Sequence, residues 1–116
     1  MATAPQRTRM TDEQYLAVER AAETKSEFFD GEMYAMSGAS RWHSLLTVNL
    51  LARIHLQLEG SPCRIYNNDL RVQIESPRSY VYPDLVAVCG EPRFRDDAFD
   101  TLINPALIVE VLSPST

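Results

Sequence analysis

Residues 104–116, "NPALIVEVLSPST", decide how the rest of the chain is to be read. From Ala106 to Leu112 every residue is apolar except Glu110. A short continuous apolar run between Pro105 and Pro114 predicts a strand buried on both faces. An ionised carboxylate in such a strand costs several kcal/mol unless something pairs with it. Glu110 therefore asks for a partner, either an arginine or a cation.

A second acid sits in a similar place. In "YVYPDLVAVCG", residues 80–90, Asp84 follows Pro83 and directly precedes the apolar run Leu85-Val86-Ala87-Val88. If the two strands are neighbours, their carboxylates can converge, and like charges at short range do not both stay ionised without a cation between them. A hard divalent cation held by oxygen ligands, Mg²⁺ or Mn²⁺, answers that need, and such an ion activates water and stabilises a leaving phosphate oxygen. Plainer readings stand beside this one. Pro-Asp at a strand start is common turn or cap chemistry. A glutamate in a strand is often the partner of an arginine. Spacing alone leaves both open. Asp69, at the start of "DLRVQI", is either a third acid on the rim or the product of an Asx turn after Asn67-Asn68. Glu27 lies one residue before Phe28-Phe29, and His43 near the start of a long helix. His55 and the tyrosines at 66, 80 and 82 suit structure before chemistry.

Working outward, residues 1–10 lack periodicity and are expected to form a flexible arm. Thr11 with Gln14 forms a capping box, followed by Asp12 and Glu13 at the positive end of a helix predicted over residues 12–22. Two short apolar-rich runs flank Asp30-Gly31, the strongest short-range hairpin signal. "ASRWHSLLTVNLLARIHLQLEG" predicts a helix whose stripe is Leu46, Leu50, Ile54 and Leu58, widened by Leu51 and Trp42, with Gly60 as its stop. Strands follow at "CRIYN", "DLRVQI" and "PDLVAVCG". The segment "EPRFRDDAFDTLIN" is a polar, poorly periodic crossover to the strand quoted first. This order predicts an α/β sandwich with a mixed sheet.

A chain of 116 residues suits one domain with a modest core. Its 23% charged and 45% apolar residues are ordinary for a globular protein, so general disorder is not expected. No run is long enough to span a bilayer, and "MATAPQRTRM" lacks the apolar centre of a signal peptide, so a cytoplasmic location without a membrane partner is expected. Cys63 and Cys89, each within an apolar strand-like run, suit buried reduced thiols and have no zinc-site spacing. The net charge of −5 argues against a general nucleic-acid coat, though not against local contact with DNA. Ten arginines accompany a single lysine, Lys25, which leaves few candidates for a catalytic ammonium.

Together, "YVYPDLVAVCG" and "NPALIVEVLSPST" resemble the Uma-two family of restriction-endonuclease-like proteins, within the PD-(D/E)XK nuclease superfamily. "TDEQYLAVE", "KSEFFDGEMYAMSGAS", "HSLLTVNLLARI" and "CRIYNNDLRVQI" are similar to that family in the same order, so the resemblance covers the chain from about residue 10. It implies a restriction-endonuclease-like α/β core: a four-stranded mixed central sheet with an N-terminal hairpin and flanking helices. It also implies Mg²⁺- or Mn²⁺-dependent hydrolysis of a DNA phosphodiester. Asp84 matches the motif's aspartate and Glu110 its second acid, both as metal ligands with a catalytic role. Glu27 is similar to an acidic position such nucleases supply near the N-terminus. Asp69 falls at a recurrent acidic position and enters as a third metal ligand. His43 falls at the family's helix histidine, and with Arg71 and Arg41 it is an expected contact to the DNA.

The chain also departs from the pattern. The superfamily places lysine one residue after the second acid, whereas here Glu110 is followed by Val111-Leu112. The resemblance implies a lysine on a helix beyond "SPST", so residues 11–116 are expected to form a nuclease-like domain lacking its C-terminal helices. Without the ammonium the attacking water is poorly oriented and the transition-state charge is not neutralised. Lys25, beside the hairpin, has no geometric claim to replace it. Exposed apolar surface left by absent helices favours a homodimer. Three functions follow: a metal-dependent endonuclease, an interaction domain that keeps the scaffold without the reaction, and a metal-dependent hydrolase of small phosphorylated molecules.

Overall fold

Thr11 opens the first helix as its capping box dictates, accepting from Gln14 N at 3.1 Å while Gln14 Oε1 accepts from Thr11 N at 2.9 Å. In the computed structural model, which describes residues 9–112, this helix (α1) runs Asp12–Ala21. The hairpin follows as β1 (Ser26–Phe29) and β2 (Glu32–Ala35). Asp30 and Gly31 at its tip take φ values of 47° and 91°, the positive values that a two-residue type I′ turn requires. Next come α2 (Arg41–Gln57), β3 (Cys63–Tyr66), β4 (Arg71–Glu75), β5 (Arg78–Val81), β6 (Leu85–Cys89), β7 (Thr101–Leu102) and β8 (Leu107–Val109). Pairing is mixed, with β4 parallel to β7 and the β1–β2, β1–β5, β3–β6 and β6–β8 ladders antiparallel, so the α/β class with a mixed sheet holds. No described helix is long and apolar enough to cross a membrane.

The described residues fall into two compact units. The first comprises residues 9–37 and 74–81. There β1 lies between β2 and β5, antiparallel to both. Its core is Tyr15 and Leu16 from α1 with Phe28 and Tyr80 from the strands, flanked by Met10 and Met33. The three rings pack as a triangle with centroids 4.8–5.8 Å apart. Their hydroxyls stay satisfied, as buried tyrosines require: Tyr15 donates to Ser26 O at 2.6 Å and Tyr80 to Asp12 Oδ2 at 2.7 Å. Residues 1–8 of the expected arm lie outside the described residues. Arg9 and Met10 are tied to the hairpin turn through an Arg9–Asp30 ion pair of 2.7 Å and a bond from Met10 N to Gly31 O of 2.9 Å.

The second unit comprises residues 38–73 and 82–112. Its three-stranded sheet has the order β3-β6-β8, antiparallel throughout. Central β6 is buried from Leu85 to Val88, as its continuous apolar run predicts. Two expectations are corrected. β8 is an edge strand of three residues with Leu107 exposed, and Glu110 follows it in an exposed position. The strand buried on both faces therefore does not exist around Glu110, because nothing among the described residues flanks β8 on its second edge. Cys63 and Cys89 are not reduced thiols but a disulfide, since the β3–β6 register sets them directly opposite one another. In addition, β7 lies inside the segment whose sequence predicts a polar crossover, where two residues are too short to carry a periodic signal.

Candidate active site

Pro83, fully buried, leads the chain into β6, and Asp84 stands just outside that strand. Leu85 and Val109 are the last Cα partners of the β6–β8 ladder, so Asp84 and Glu110 occupy the next register position. There the side chains take over from the backbone. Asp84 N donates to Glu110 Oε1 at 2.8 Å, and Val111 N donates to Asp84 Oδ2 at 2.7 Å. Each acid thus caps the other's strand end in a reciprocal clasp.

A third element reaches the same oxygen. Ser40 caps α2 by accepting from His43 N at 3.1 Å, and Thr47 Oγ1 donates to His43 O at 2.7 Å, which fixes the helix's first turn. From that turn His43 Nε2 lies 3.1 Å from Asp84 Oδ2. An ionised carboxylate only accepts, so Nε2 carries a proton in this contact. The side chains of His43 and Asp84 are each 16% exposed, whereas Glu110 opens to solvent. The site is a rim with one shielded and one open carboxylate.

The donor chemistry suits a hard divalent cation, which prefers carboxylate oxygens. Among the described residues no three His, Cys, Asp or Glu side chains gather as a metal-binding group. Asp84 and Glu110 are the two carboxylates of this rim that could hold such an ion.

The other sequence candidates lie on or beside β1, β4 and α2. Asp69 does not join Asp84 and Glu110 in a metal-binding group; its N donates to Asn67 Oδ1 at 3.0 Å, the Asx turn that was the alternative reading. Glu27 belongs to the first unit, on β1 opposite Tyr34, and Lys25 precedes the same strand. Arg71, expected at a phosphate, is buried. Its Nε donates to Thr101 Oγ1 at 2.9 Å, its NH1 to Tyr82 OH at 2.9 Å, and its NH2 lies 2.7 Å from Asp100 Oδ2. Burial opposes its charge, but Tyr82 and Asp100 outweigh that and hold its pKa above the ordinary arginine value. With those donors engaged, Arg71 is built to hold the β4–β7 region rather than to meet a ligand. Arg41 is exposed in the first turn of α2, its guanidinium 4.1 Å from the Trp42 ring centroid. Sequence reasoning missed the backbone N–H groups of Asp84 and Val111, which no residue type can signal.

Residues 12–116 match the family described as Uma2, "Putative restriction endonuclease". Two curated proteins of Synechocystis sp. (strain ATCC 27184 / PCC 6803 / Kazusa) are similar, both described as uncharacterized. Protein slr1290 is 41% identical over 93% of this chain and 56% of its own length. Protein sll1609 is 40% identical over 91% of this chain and 60% of its own. The chain thus spans less than two thirds of the length of either relative. A crystal structure from Anabaena variabilis ATCC 29413, described as a putative nuclease belonging to DUF820, shares the fold with a TM-score of 0.67 at 20% identity, over 90% of this chain and 59% of the other.

Proposed function

The chain belongs to the Uma2 family, "Putative restriction endonuclease", and from that membership and the paired acids we propose that it carries the metal-binding core of a DNA endonuclease. The observation that carries the proposal is the chemistry of the clasp. Asparagine at 84 and glutamine at 110 would accept the same two backbone N–H bonds. The hydrogen bonding explains acceptors at both positions but gives no reason for charge at both. Adjacent carboxylates repel, and a cation between them removes that cost.

In this reading Asp84 and Glu110 hold Mg²⁺ or Mn²⁺, which when bound activates water and stabilises the leaving oxygen of a phosphodiester. His43 is a positioning residue: tied to Asp84 Oδ2, it fixes the orientation of that carboxylate. The N-terminal turn of α2, which carries His43, supplies N–H groups and the positive end of the helix, suited to a DNA phosphate. The test is conversion of supercoiled plasmid to nicked circles in Mn²⁺, with Glu110→Gln as comparison. The expected loss on substitution is about 100-fold or more, the scale of a lost transition-state contact. Glu110→Gln cleaving as fast as the wild type overturns the proposal.

A second reading is favoured by one specific feature. Val111-Leu112 stand where the superfamily pattern has its lysine, and Leu112 is exposed to solvent. A scaffold that binds the ion without the reaction would leave the plasmid intact and still be stabilised by Mn²⁺.

A further inference from the structure

Helix α2 is apolar on two opposite sides. His43, Thr47, Leu50, Leu51, Ile54 and Leu58 form its half-buried side, and none of its 17 residues is fully buried. The other side carries Leu45, Val48, Ala52 and Leu56, spaced by three, four and four, with Asn49 among them and Trp42 at one end. Trp42, Leu45, Val48 and Leu56 are 63%, 52%, 56% and 64% exposed. One apolar side is enough to seat a surface helix on its own sheet, so this second, outer stripe calls for a cover.

The stripe complements itself. Turned end for end about a twofold axis on the outer side, at the level of residue 50, Val48 meets the partner's Ala52, Leu45 meets the partner's Leu56, and Arg41 comes against the partner's Glu59. Ala52, small, sits where two helices would approach most closely. Arg41 opens α2 and Glu59 follows its C-cap Leu58, so the charges at the two ends are opposite, and both residues are exposed. We infer that the outer face of α2 is the seat of a second copy of this chain, in an antiparallel helix pair closed at each end by Arg41 and the partner's Glu59.

The area agrees with a reversible dimer. Four side chains slightly more than half exposed offer roughly 400 Å² of apolar surface, as much as the largest patch of a typical monomer. Two copies bring about 800 Å² together, and the polar flanks raise this toward the ~1,200 Å² where specific interfaces begin. A twofold axis makes the contact isologous and closed, so assembly stops at two. The pair would also brace the helix whose first turn supplies His43. None of this depends on the nuclease proposal.

Sedimentation equilibrium of this chain from 1 to 200 µM provides the test, with far-UV circular dichroism confirming that each variant stays helical. The wild type is expected to dimerise in the micromolar range, the range of small interfaces. Val48→Glu, which would bury an unpaired charge, is expected to weaken the dimer about 100-fold. Arg41→Glu and Glu59→Arg should each weaken it about tenfold, and the double exchange should return it to within about threefold of wild type. A monomer across the whole range overturns the inference and leaves the stripe to a different chain segment or protein. A dimer indifferent to Val48→Glu places the interface elsewhere and equally overturns it. A double exchange no better than the single ones overturns the antiparallel register.

Discussion

Replacing Asp84 by alanine and by asparagine separates its structural work from its binding work. Asp84 Oδ2 receives Val111 N at 2.7 Å and His43 Nε2 at 3.1 Å. Alanine removes the one oxygen that accepts both bonds. It leaves the half-buried Val111 N–H without its partner, at about 1–3 kcal/mol, and loses a second bond worth about 1 kcal/mol. The sum, about 2–4 kcal/mol, lowers Tm by roughly 8–16 °C in a domain of this size. Asparagine with its oxygen in the place of Oδ2 still accepts from both Val111 N and His43 Nε2, so its cost stays below about 1 kcal/mol. Mn²⁺ then distinguishes the two functions. At a hundred times its dissociation constant it adds about 2.7 kcal/mol to the wild type, roughly 10 °C. Asp84→Asn should gain nothing. The assay is differential scanning calorimetry of the three proteins with and without Mn²⁺. A Mn²⁺ shift in Asp84→Asn equal to that of the wild type refutes the ligand role, and an Asp84→Ala variant as stable as Asp84→Asn refutes the clasp.

Two further outcomes follow from the second unit. Arg71→Met leaves Asp100, Tyr82 OH and Thr101 Oγ1 without the guanidinium they share, and should cost about 3–4 kcal/mol in urea unfolding; a loss below about 1 kcal/mol would show that the cluster contributes little. The Cys63–Cys89 bridge closes a loop of sequence separation 26, for which chain entropy predicts about 3.5 kcal/mol. Cys63→Ala/Cys89→Ala should therefore melt well below the wild type under non-reducing conditions, and equal melting points would show that the bridge constrains nothing in solution.

What the sequence made legible was local. The capping box of Thr11 and Gln14, the Asp30-Gly31 turn and the apolar run of β6 each depend on neighbours within a few residues, and each forms as expected. What stayed hidden depends on register. No property of residue 63 or 89 alone announces that β3 and β6 will set the cysteines opposite one another, and an apolar flank suits a thiol as well as a bridge. Arg71 looked like a phosphate ligand because an arginine on the polar phase of an alternating strand is normally exposed. Its three partners come from residues 11 and about 30 positions away, beyond the reach of a periodic pattern.

Glu110 joins both kinds of case. Its apolar flanks predict burial, yet the residue is exposed beyond a short edge strand, so the desolvation penalty that would demand a partner is not incurred. The two acids nevertheless meet, because 84 and 110 continue the antiparallel register set by Leu85 and Val109. This changes what a pairing of acids on neighbouring strands can mean. In an apolar interior two carboxylates would need a cation simply to be tolerated. On an open rim they are tolerated without one, held by each other's backbone N–H groups. Any cation bound there is consequently not required for folding, and its contribution appears as an added stability that amides at the same two positions cannot reproduce.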